Sequence, residues 1–435
     1  MSVKEVKGRP GWFDVAVYDR VRAPGARPAK IQRRVKGQRA AERLERDLKN
    51  KREAGSLVDR NTPLSDYATA YLKSRRAEVS RQTLHGYQVQ VDRYISRHPI
   101  GRARIGSLTT TMVAEFYADL LSGENRDTVD DDGKVTPAAP ISRQSVTGVH
   151  RVLSMILKRA TVDGLLHANP CTIVKPPKDD DVHEDDDEQG DEDEPGVDPE
   201  TAVAFLKMAE GTAIYTLAAV ALGTGLRRSE LLALRWRDID LEAGELKVRG
   251  KIEQVGKHVE RRAPKSKRSR RTVPFGPSVA KVLRRQRAII AEHKLQYRGR
   301  LLLDGEDVPA WVDEGWVFPA LRMSRAKDGT HLPAGRLWTP NALAQQWRQC
   351  RDSINQKRLK EWLDGGHREE DFDKWTFGPH ALRHCYGTVQ LAAGVRIELV
   401  SRRLGHSSSA VTARIYSHVI KSELRDGVDV ADSLI

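Results

Sequence analysis

An acidic stretch divides this chain into two parts that must fold around separate cores. Residues 179–200 contain nine Asp and five Glu, no Lys or Arg, and almost nothing apolar. Such a composition cannot bury enough apolar surface to offset the entropy lost on ordering, so we expect a disordered linker over residues 179–198. The chain has 435 residues, and a typical domain size of about 150 residues predicts roughly three domains.

The charge outside this stretch indicates a polyanionic partner. The chain carries a net charge of +14, and because the stretch holds fourteen acidic residues, the remainder carries +28. A surface this basic, without an amphipathic anchor or a lipidation motif, favours nucleic acid over a membrane. The first 19 residues are polar and lack a hydrophobic signal region, so we expect a cytoplasmic protein with no membrane partner.

The N-terminal segment, residues 1–60, predicts a small sheet with one helix. Apolar and polar residues alternate over residues 11–19, which places Phe13, Val15 and Val17 on one face of a strand. A second strand is expected at residues 30–35. A helix is expected at residues 38–52, where the apolar residues form one narrow stripe.

In residues 61–178 the apolar residues recur at helical spacing, which is typical of a helical bundle. Four amphipathic helices are expected, two of them beginning at the capping residues Ser80 and Ser142. Aromatic residues recur at helical spacing in this region, which favours a place in the core over stacking on bases. The Asp-, Gly- and Pro-rich residues 123–140 predict a flexible loop.

The C-terminal part, residues 199–435, carries basic residues and one tyrosine at fixed spacings. Gly225 belongs to a turn that presents Arg227 at the start of a short helix. His380 and Arg383 lie one helical turn apart on the same face. His406 is expected at the end of a helix. Tyr416 follows it by ten residues.

Each of these residues alone has a plain structural explanation, such as a capping histidine or a packed aromatic ring. Taken together and in this order, the motifs resemble the active site of the tyrosine recombinases, specifically the phage-type integrases. The strings TGLRRSELLALRW, HALRH, LGH and the tyrosine carry the resemblance, which covers roughly residues 199–419 and, more weakly, the segments before them.

This resemblance implies a multidomain α+β protein with three folded parts. Residues 1–60 are expected to form an arm-type DNA-binding module of a small β-sheet and a helix, unless they are an unrelated β domain or a dimerisation flap. Residues 61–178 are expected to form an all-α core-binding bundle, and residues 199–435 a mixed, mainly α catalytic domain. The acidic linker between them is either a solubilising spacer or a competitor of phosphates for the empty DNA cleft.

The resemblance also assigns roles to individual residues. The phenol of a tyrosine ionises only near a pKa of about 10, so the proposed nucleophile, Tyr416, needs cationic neighbours and a proton acceptor. The expected catalytic set is Tyr416, Arg227, Lys265, His380, Arg383 and His406, with Glu230 as the supporting acid. Lys267 is the alternative to Lys265 as general acid, and the expected phosphate contacts are Arg268, Arg270 and Arg271. No metal and no cofactor are expected.

The function expected from this resemblance is site-specific recombination of a phage or mobile element. The reaction would pass through a 3′-phosphotyrosyl link and a Holliday junction, on a tetramer assembled on double-stranded attachment sites. An excision factor, a host DNA-bending protein and docking of the C-terminal tail on a neighbouring protomer are further expectations. The alternatives are DNA relaxation of the type IB topoisomerase kind and a catalytically silent DNA-binding regulator. Residues 299–374 are not explained by the resemblance, and only a helix near residues 340–354 is predicted there.

Overall fold

The chain divides into two compact units at a point within the predicted acidic linker. A computed structural model describes residues 2–6, 8–18, 30–53, 60–125, 128–129, 135–136, 138–177, 196–256, 258–264, 269–303, 306–326 and 328–417. It has two compact units, Met1–Glu184 and Asp185–Ile435. The linker itself, apart from its last three residues, lies outside the described residues.

The first unit begins with a three-stranded antiparallel sheet in the order β1-β2-β3, followed by one helix. The elements are β1 (Ser2–Glu5), β2 (Trp12–Tyr18), β3 (Lys30–Lys36) and α1 (Gln38–Glu53). Val15 and Ala41 are fully buried, and Phe13 and Leu44 pack against them. The two predicted strands and the helix are therefore confirmed. The strand β1 was not predicted, because Val3 is its one apolar residue and no alternation is visible.

The rest of the first unit is a helical bundle around an apolar core. Its helices are α2 (Leu64–Ser74), α3 (Arg81–Gln90), α4 (Pro99–Arg102), α5 (Thr110–Ser122) and α6 (Arg143–Val162). Ser80 and Ser142 accept hydrogen bonds from the first turns of α3 and α6, as the sequence predicts. The aromatic residues pack in the core, with Phe116 fully buried. The predicted flexible loop contains a short antiparallel pair, β4 (Thr128–Val129) and β5 (Val135–Thr136).

The second unit combines eight helices of the described residues with several small antiparallel sheets. The helices are α7 (Pro199–Ala209), α8 (Tyr215–Thr224), α9 (Arg228–Leu232), α10 (Pro277–Gln296), α11 (Pro340–Asp364), α12 (Pro379–Ala392), α13 (Ile397–Leu404) and α14 (Ser409–Ile415). One sheet has the order β10-β7-β6, and the other strands pair as β8-β9, β11-β12 and β13-β14. These strands are β6 (Ile239–Asp240), β7 (Glu245–Val248), β8 (Lys251–Val255), β9 (His258–Arg262), β10 (Arg271–Pro274), β11 (Arg300–Leu303), β12 (Glu306–Pro309), β13 (Ser324–Arg325) and β14 (His331–Leu332).

Residues 299–374 contribute to the core of the second unit. The side chains of Trp316, Trp338 and Trp347 are buried in that core. The Trp347 ring stacks on Phe205 at 5.0 Å between centroids, and its indole N–H donates to the carbonyl of Phe377 at 3.0 Å. The predicted helix is confirmed and extends ten residues further, to Asp364. In the described part of the chain, no helix is both long enough and apolar enough to cross a membrane.

Candidate active site

A tight turn between α8 and α9 places Arg227 at the site. Helix α8 ends at Thr224 and is capped by Gly225, whose φ of +65° lies in the left-handed region. A Cβ atom at this position would come within 2.5 Å of the Tyr386 ring and 2.8 Å of Leu404, so both backbone shape and packing require glycine. The backbone N–H of Arg227 donates to the carboxylate of Glu230 at 2.9 Å, which fixes the first turn of α9.

Arg383 on α12 connects this turn to the end of α13. Its side chain is buried, and Nη1 donates to the carbonyls of Gly225 at 2.7 Å and Leu404 at 2.9 Å. The guanidinium of Arg227 reaches the carbonyl of Gly405, at 3.4 Å from Nη1. The bonds from Arg227 to Gly405 and from Arg383 to Gly225 join segments that lie 178 and 158 residues apart in sequence, and they bring the two predicted arginines to one place.

His406 and Tyr416 lie on the same side of the second unit as the arginines. Helix α13 ends at Gly405 in the left-handed conformation, and the next residue, His406, pairs through Nδ1 with the hydroxyl of Thr412 at 2.7 Å. Tyr416 follows α14 and is 1% exposed. Its ring lies 6.1 Å from that of His384 on α12. The five predicted catalytic residues that the structure describes belong to one cluster: Arg227, His380, Arg383, His406 and Tyr416.

His380 differs from its neighbours because its ring nitrogens have no hydrogen-bond partner among the described residues. The side chain is buried and meets the ring of His384 at 4.8 Å between centroids. His384 lies four residues after His380 on α12, so helical spacing could have indicated it. Thr412, the partner of His406, gave no signal in the sequence.

Glu230 holds a buried ion pair that supports the turn. Both oxygens of Glu230 accept from Arg271, at 2.8 Å from Nη1 and 2.9 Å from Nη2. Nε of Arg271 donates to the carbonyl of Arg403 at 2.6 Å. Burial would raise the pKa of Glu230, but Arg271 outweighs it and, with Arg227 and Arg383, lowers the pKa to about 2.

Arg271 was expected to contact DNA, and that contact stays a prediction, but the structure gives its side chain a second place inside the site. Its side chain is 4% exposed, and its donors bind Glu230 and backbone carbonyls, so it is an internal support of the site. Its neighbour Arg270 is exposed, as a phosphate contact should be. The alternation of β10 could have separated the two, because Arg271 shares a strand face with the buried Val273.

The remaining predicted basic residues, Lys265, Lys267 and Arg268, lie outside the described residues. Their segment is bounded by β9, which ends at Arg262, and by β10, which begins at Arg271. Among the described residues, a cavity of about 460 Å³ is lined by residues that include Arg270, Arg402 and His406. The lining gives this cavity a cationic character.

The cluster has the electrostatics of an anion-binding site. Burial lowers the pKa of His380 to about 2, and Arg383, His384 and Arg227 add to this effect. Burial and the same two arginines also lower the pKa of His406 to about 2. Arg383 remains charged at neutral pH, although burial and Arg227 lower its pKa to about 9. Neutral histidines beside buried arginines are suited to donate hydrogen bonds to a bound anion. The negative charge of a bound phosphate would raise their pKa and so make them stronger proton acceptors.

Comparisons with known proteins agree with this geometry. The model of the phage integrase family matches residues 197–423, just over half of the chain. A tyrosine recombinase XerC-like protein of Caldanaerobacter subterraneus subsp. tengcongensis is 28% identical over 306 residues, which are 67% of this chain and 67% of that protein. The putative prophage phiRv2 integrase of Mycobacterium tuberculosis is 25% identical over 376 residues, covering 82% of this chain and 84% of its own length. In fold, the chain is similar to the integrase of transposon Tn1549, solved with a circular intermediate DNA, at a TM-score of 0.57, 18% identity and coverage of 84% and 99%.

Proposed function

We propose that this chain, which belongs to the phage integrase family, cleaves and rejoins DNA through a covalent link between Tyr416 and a 3′ phosphate. Members of the family are tyrosine recombinases, DNA strand-transferases that need neither metal nor ATP, so the chain is an enzyme that acts on DNA. The observation that carries the proposal is the meeting of Arg227, Arg383, His406 and Tyr416 from three distant segments.

The two arginines are proposed to bind the scissile phosphate. Their guanidinium groups lie at the same turn, where each donates to a backbone carbonyl, at Gly225, Leu404 or Gly405. A phosphate entering this place would accept charge-assisted hydrogen bonds in an environment largely shielded from water. Such donors stabilise the charge that grows on the non-bridging oxygens of the pentavalent transition state. His406 adds a neutral N–H donor for the same oxygens.

The proposed chemistry balances without an external energy source. The phenol oxygen of Tyr416 attacks phosphorus, its proton passes to a neutral acceptor such as His380, and the bond from phosphorus to the 5′ oxygen breaks. The leaving oxygen takes a proton from Lys265, or from Lys267 in its place. The phosphotyrosyl ester conserves the energy of the broken bond, so the 5′ hydroxyl of another strand can reverse the step.

Assembly and genetic role belong to the proposal as well. We expect four protomers on two duplexes, exchange through a Holliday junction, and integration or excision of a phage or mobile element in the cytoplasm of its bacterial host. Residues 1–60 are proposed to bind arm-type sites and residues 61–178 the core site, with residues 199–435 carrying the chemistry. An excision factor, a host DNA-bending protein, and tail docking by residues that follow Tyr416 are further proposed partners or contacts.

Adduct formation on a nicked duplex tests the proposal most directly. The duplex carries the attachment core of the element that encodes the chain, with a nick beside the scissile phosphate so that the short product diffuses away. The wild-type protein should give an SDS-resistant adduct in EDTA, and Tyr416→Phe should give none. Tyr386→Phe is the matched control, because Tyr386 is a buried neighbour of the same core cluster and should leave the adduct intact. An adduct that persists in Tyr416→Phe would exclude this nucleophile.

The general acid can be identified with the same duplex. Replacing the 5′ bridging oxygen by sulfur makes a leaving group that needs no proton. Lys265→Ala should therefore lose cleavage of the oxygen substrate and retain cleavage of the sulfur substrate, while Lys267→Ala should cleave both. The reverse pattern would assign the role to Lys267.

Recombination and relaxation are separated by two further substrates. A recombinase exchanges strands between two labelled attachment duplexes, whereas a topoisomerase relaxes a supercoiled plasmid that lacks any attachment site. We expect exchange without relaxation of the plain plasmid. Tight binding with neither activity would support the silent regulator.

A further inference from the structure

Gly387 on α12 leaves a gap that the Tyr416 ring occupies. A Cβ atom placed on Gly387 would overlap Cζ and the hydroxyl oxygen of Tyr416 and would lie 2.7 Å from Cε1. Real Cβ atoms do not approach other atoms this closely. The phenol can therefore rest where it does only because residue 387 has no side chain.

The position of this gap on α12 connects it to the active site. His380, Arg383 and Gly387 are spaced by three and four residues and so share one face of the helix, and His384, four residues after His380, borders the same face. The Tyr416 ring lies across this face, next to His384. A glycine in the middle of a helix costs stability relative to alanine, so residue 387 is not explained by the helix itself.

We propose that Gly387 is a positioning residue, which allows the Tyr416 phenol to lie against the face of α12 that carries Arg383 and His380. The inference rests on the proposed role of Tyr416 as nucleophile. Its geometric part, the dependence of the Tyr416 position on residue 387, holds for any role of the tyrosine.

A side chain at residue 387 would move the tyrosine and not α12. Helix α12 is fixed by Leu382 and Cys385 in the main core and by the bonds of Arg383 to Gly225 and Leu404. Tyr416 follows a helix of only seven residues, and its hydroxyl is the far end of its side chain. A methyl group at residue 387 should therefore shift the phenol away from the arginines while leaving their own hydrogen bonds in place.

The first test compares Gly387→Ala with the wild-type protein on the nicked attachment duplex at saturating protein. A displacement of about 1 Å in a reacting group can cost about a hundredfold in rate. We expect single-turnover adduct formation to fall by that factor while the Kd for the duplex changes less than twofold. Gly86→Ala is the matched control, because Gly86 is also helical but a Cβ there meets nothing within 4 Å. An adduct rate in Gly387→Ala equal to or above that of the wild-type protein would overturn the proposal.

The second test does not depend on catalysis. Acetylation of Tyr416 by N-acetylimidazole, mapped by mass spectrometry, should be slow in the wild-type protein because the side chain is 1% exposed, and faster in Gly387→Ala. The melting temperature should rise when Gly387→Ala is made in a Tyr416→Ala background, and rise less, or fall, when the ring is present. Equal shifts in both backgrounds would show that residues 387 and 416 do not interact.

These results separate the two proposals. If Tyr416→Phe abolishes the adduct but Gly387→Ala cleaves normally, the nucleophile stands and the positioning role fails. If Gly387→Ala exposes Tyr416 but Tyr416→Phe still forms the adduct, the geometric inference stands and the proposed nucleophile fails.

Discussion

His98 and His380 are both buried histidines, one in each unit, and their surroundings are opposite. His98 in the first unit uses both ring nitrogens: Nε2 bonds Asp119 at 2.9 Å, and Nδ1 accepts the N–H of Ile100 at 3.1 Å. His380 in the second unit has no hydrogen-bond partner among the described residues, and burial, together with the charges of nearby arginines, lowers its pKa. A satisfied buried polar group belongs to the fold, whereas an unsatisfied one costs stability and indicates a site prepared for a ligand.

The tryptophans allow the two units to be followed separately. Seven of the eight tryptophans lie in the second unit, and the helical bundle of the first unit has none. Tryptophan fluorescence therefore reports mainly the unfolding of the second unit, while circular dichroism reports the helices of both. The comparison of His98 with His380 can be tested with these two signals and the adduct assay.

The largest effect is expected where a buried pair of the second unit is broken. Arg271→Ala leaves the Glu230 carboxylate without its main partner, and loss of one member of a buried ion pair costs about 3–5 kcal/mol. Fluorescence-detected urea unfolding should show this loss. Arg270→Ala is the matched control, since the neighbouring side chain is exposed and should change stability by less than about 0.5 kcal/mol.

The double variant Arg271→Met with Glu230→Leu tests whether the ion pair positions the active site as well as stabilising the second unit. Removing both charges should recover most of the stability, because a packed apolar pair replaces a buried ionic one. It should not recover cleavage, because the Glu230 carboxylate no longer fixes the turn of Arg227. Recovery of both would show that the pair does not position the active site.

His380→Gln should have the opposite effect to Arg271→Ala, whose main effect is on stability. We expect a large loss of activity and no loss of stability. A general base contributes about 10²- to 10⁴-fold to a rate, so adduct formation should fall by that range. The urea midpoint should stay the same or rise, because no hydrogen bond of the ring is lost. His85→Gln on α3, where the side chain is exposed, is the control for the substitution itself. A clear loss of stability in His380→Gln would place His380 with His98 as a structural residue.

Acid should destabilise the second unit through two of its buried histidines, His380 and His406. His380 and His406 have folded pKa values of about 2 against 6.5 in the unfolded chain, so between these values the unfolded state binds a proton at each that the folded state does not. Stability is thus complete above pH 6.5 and falls below it, by about 1.4 kcal/mol per pH unit for each histidine. Glu230 adds to this loss only below pH 4.5, because its pKa is lowered from 4.5 to about 2.

The window from pH 6.5 to 5 therefore isolates the histidines, and fluorescence-detected unfolding across it measures the slope. His380→Gln should reduce the slope by about 1.4 kcal/mol per pH unit. A slope that does not change in this variant would mean that His380 is already protonated in the folded protein.

The sequence predicts what depends on neighbouring residues and fails where distant segments meet. The helices beginning after Ser80 and Ser142 were predicted because their caps and apolar spacing are local. The motifs of the site could be recognised for the same reason, because the resemblance rests on local strings such as the glycine turn before Arg227 and the helical spacing of His380 and Arg383; the roles of these residues stay a prediction. By contrast, the tryptophans of residues 299–374 show no period, and their place in the core follows only from contacts such as Trp347 with Phe205.

Arg270 and Arg271 show that, within the site too, the sequence does not reveal contacts between distant segments. Both belong to one run of basic residues, and the sequence gives them the same role. Their difference arises because β10 meets α9 and the end of α13, which lets Arg271 bind Glu230 and the carbonyl of Arg403. Gly387 was not singled out either, because the overlap with Tyr416 depends on two segments meeting.

The smallest effect is expected for His98→Asn in the first unit. An asparagine can still accept the N–H of Ile100 as a helix cap, and Asp119 keeps its bond from Asn125 at 2.7 Å. Only the bond between residue 98 and Asp119 is lost, so the cost should be about 1 kcal/mol. Circular dichroism should detect it, tryptophan fluorescence should not, and adduct formation at saturating protein should be unchanged. If His98→Asn slowed cleavage as His380→Gln does, a histidine whose ring nitrogens both have hydrogen-bond partners would also be functional. The presence of such partners would then no longer distinguish a structural histidine from a functional one.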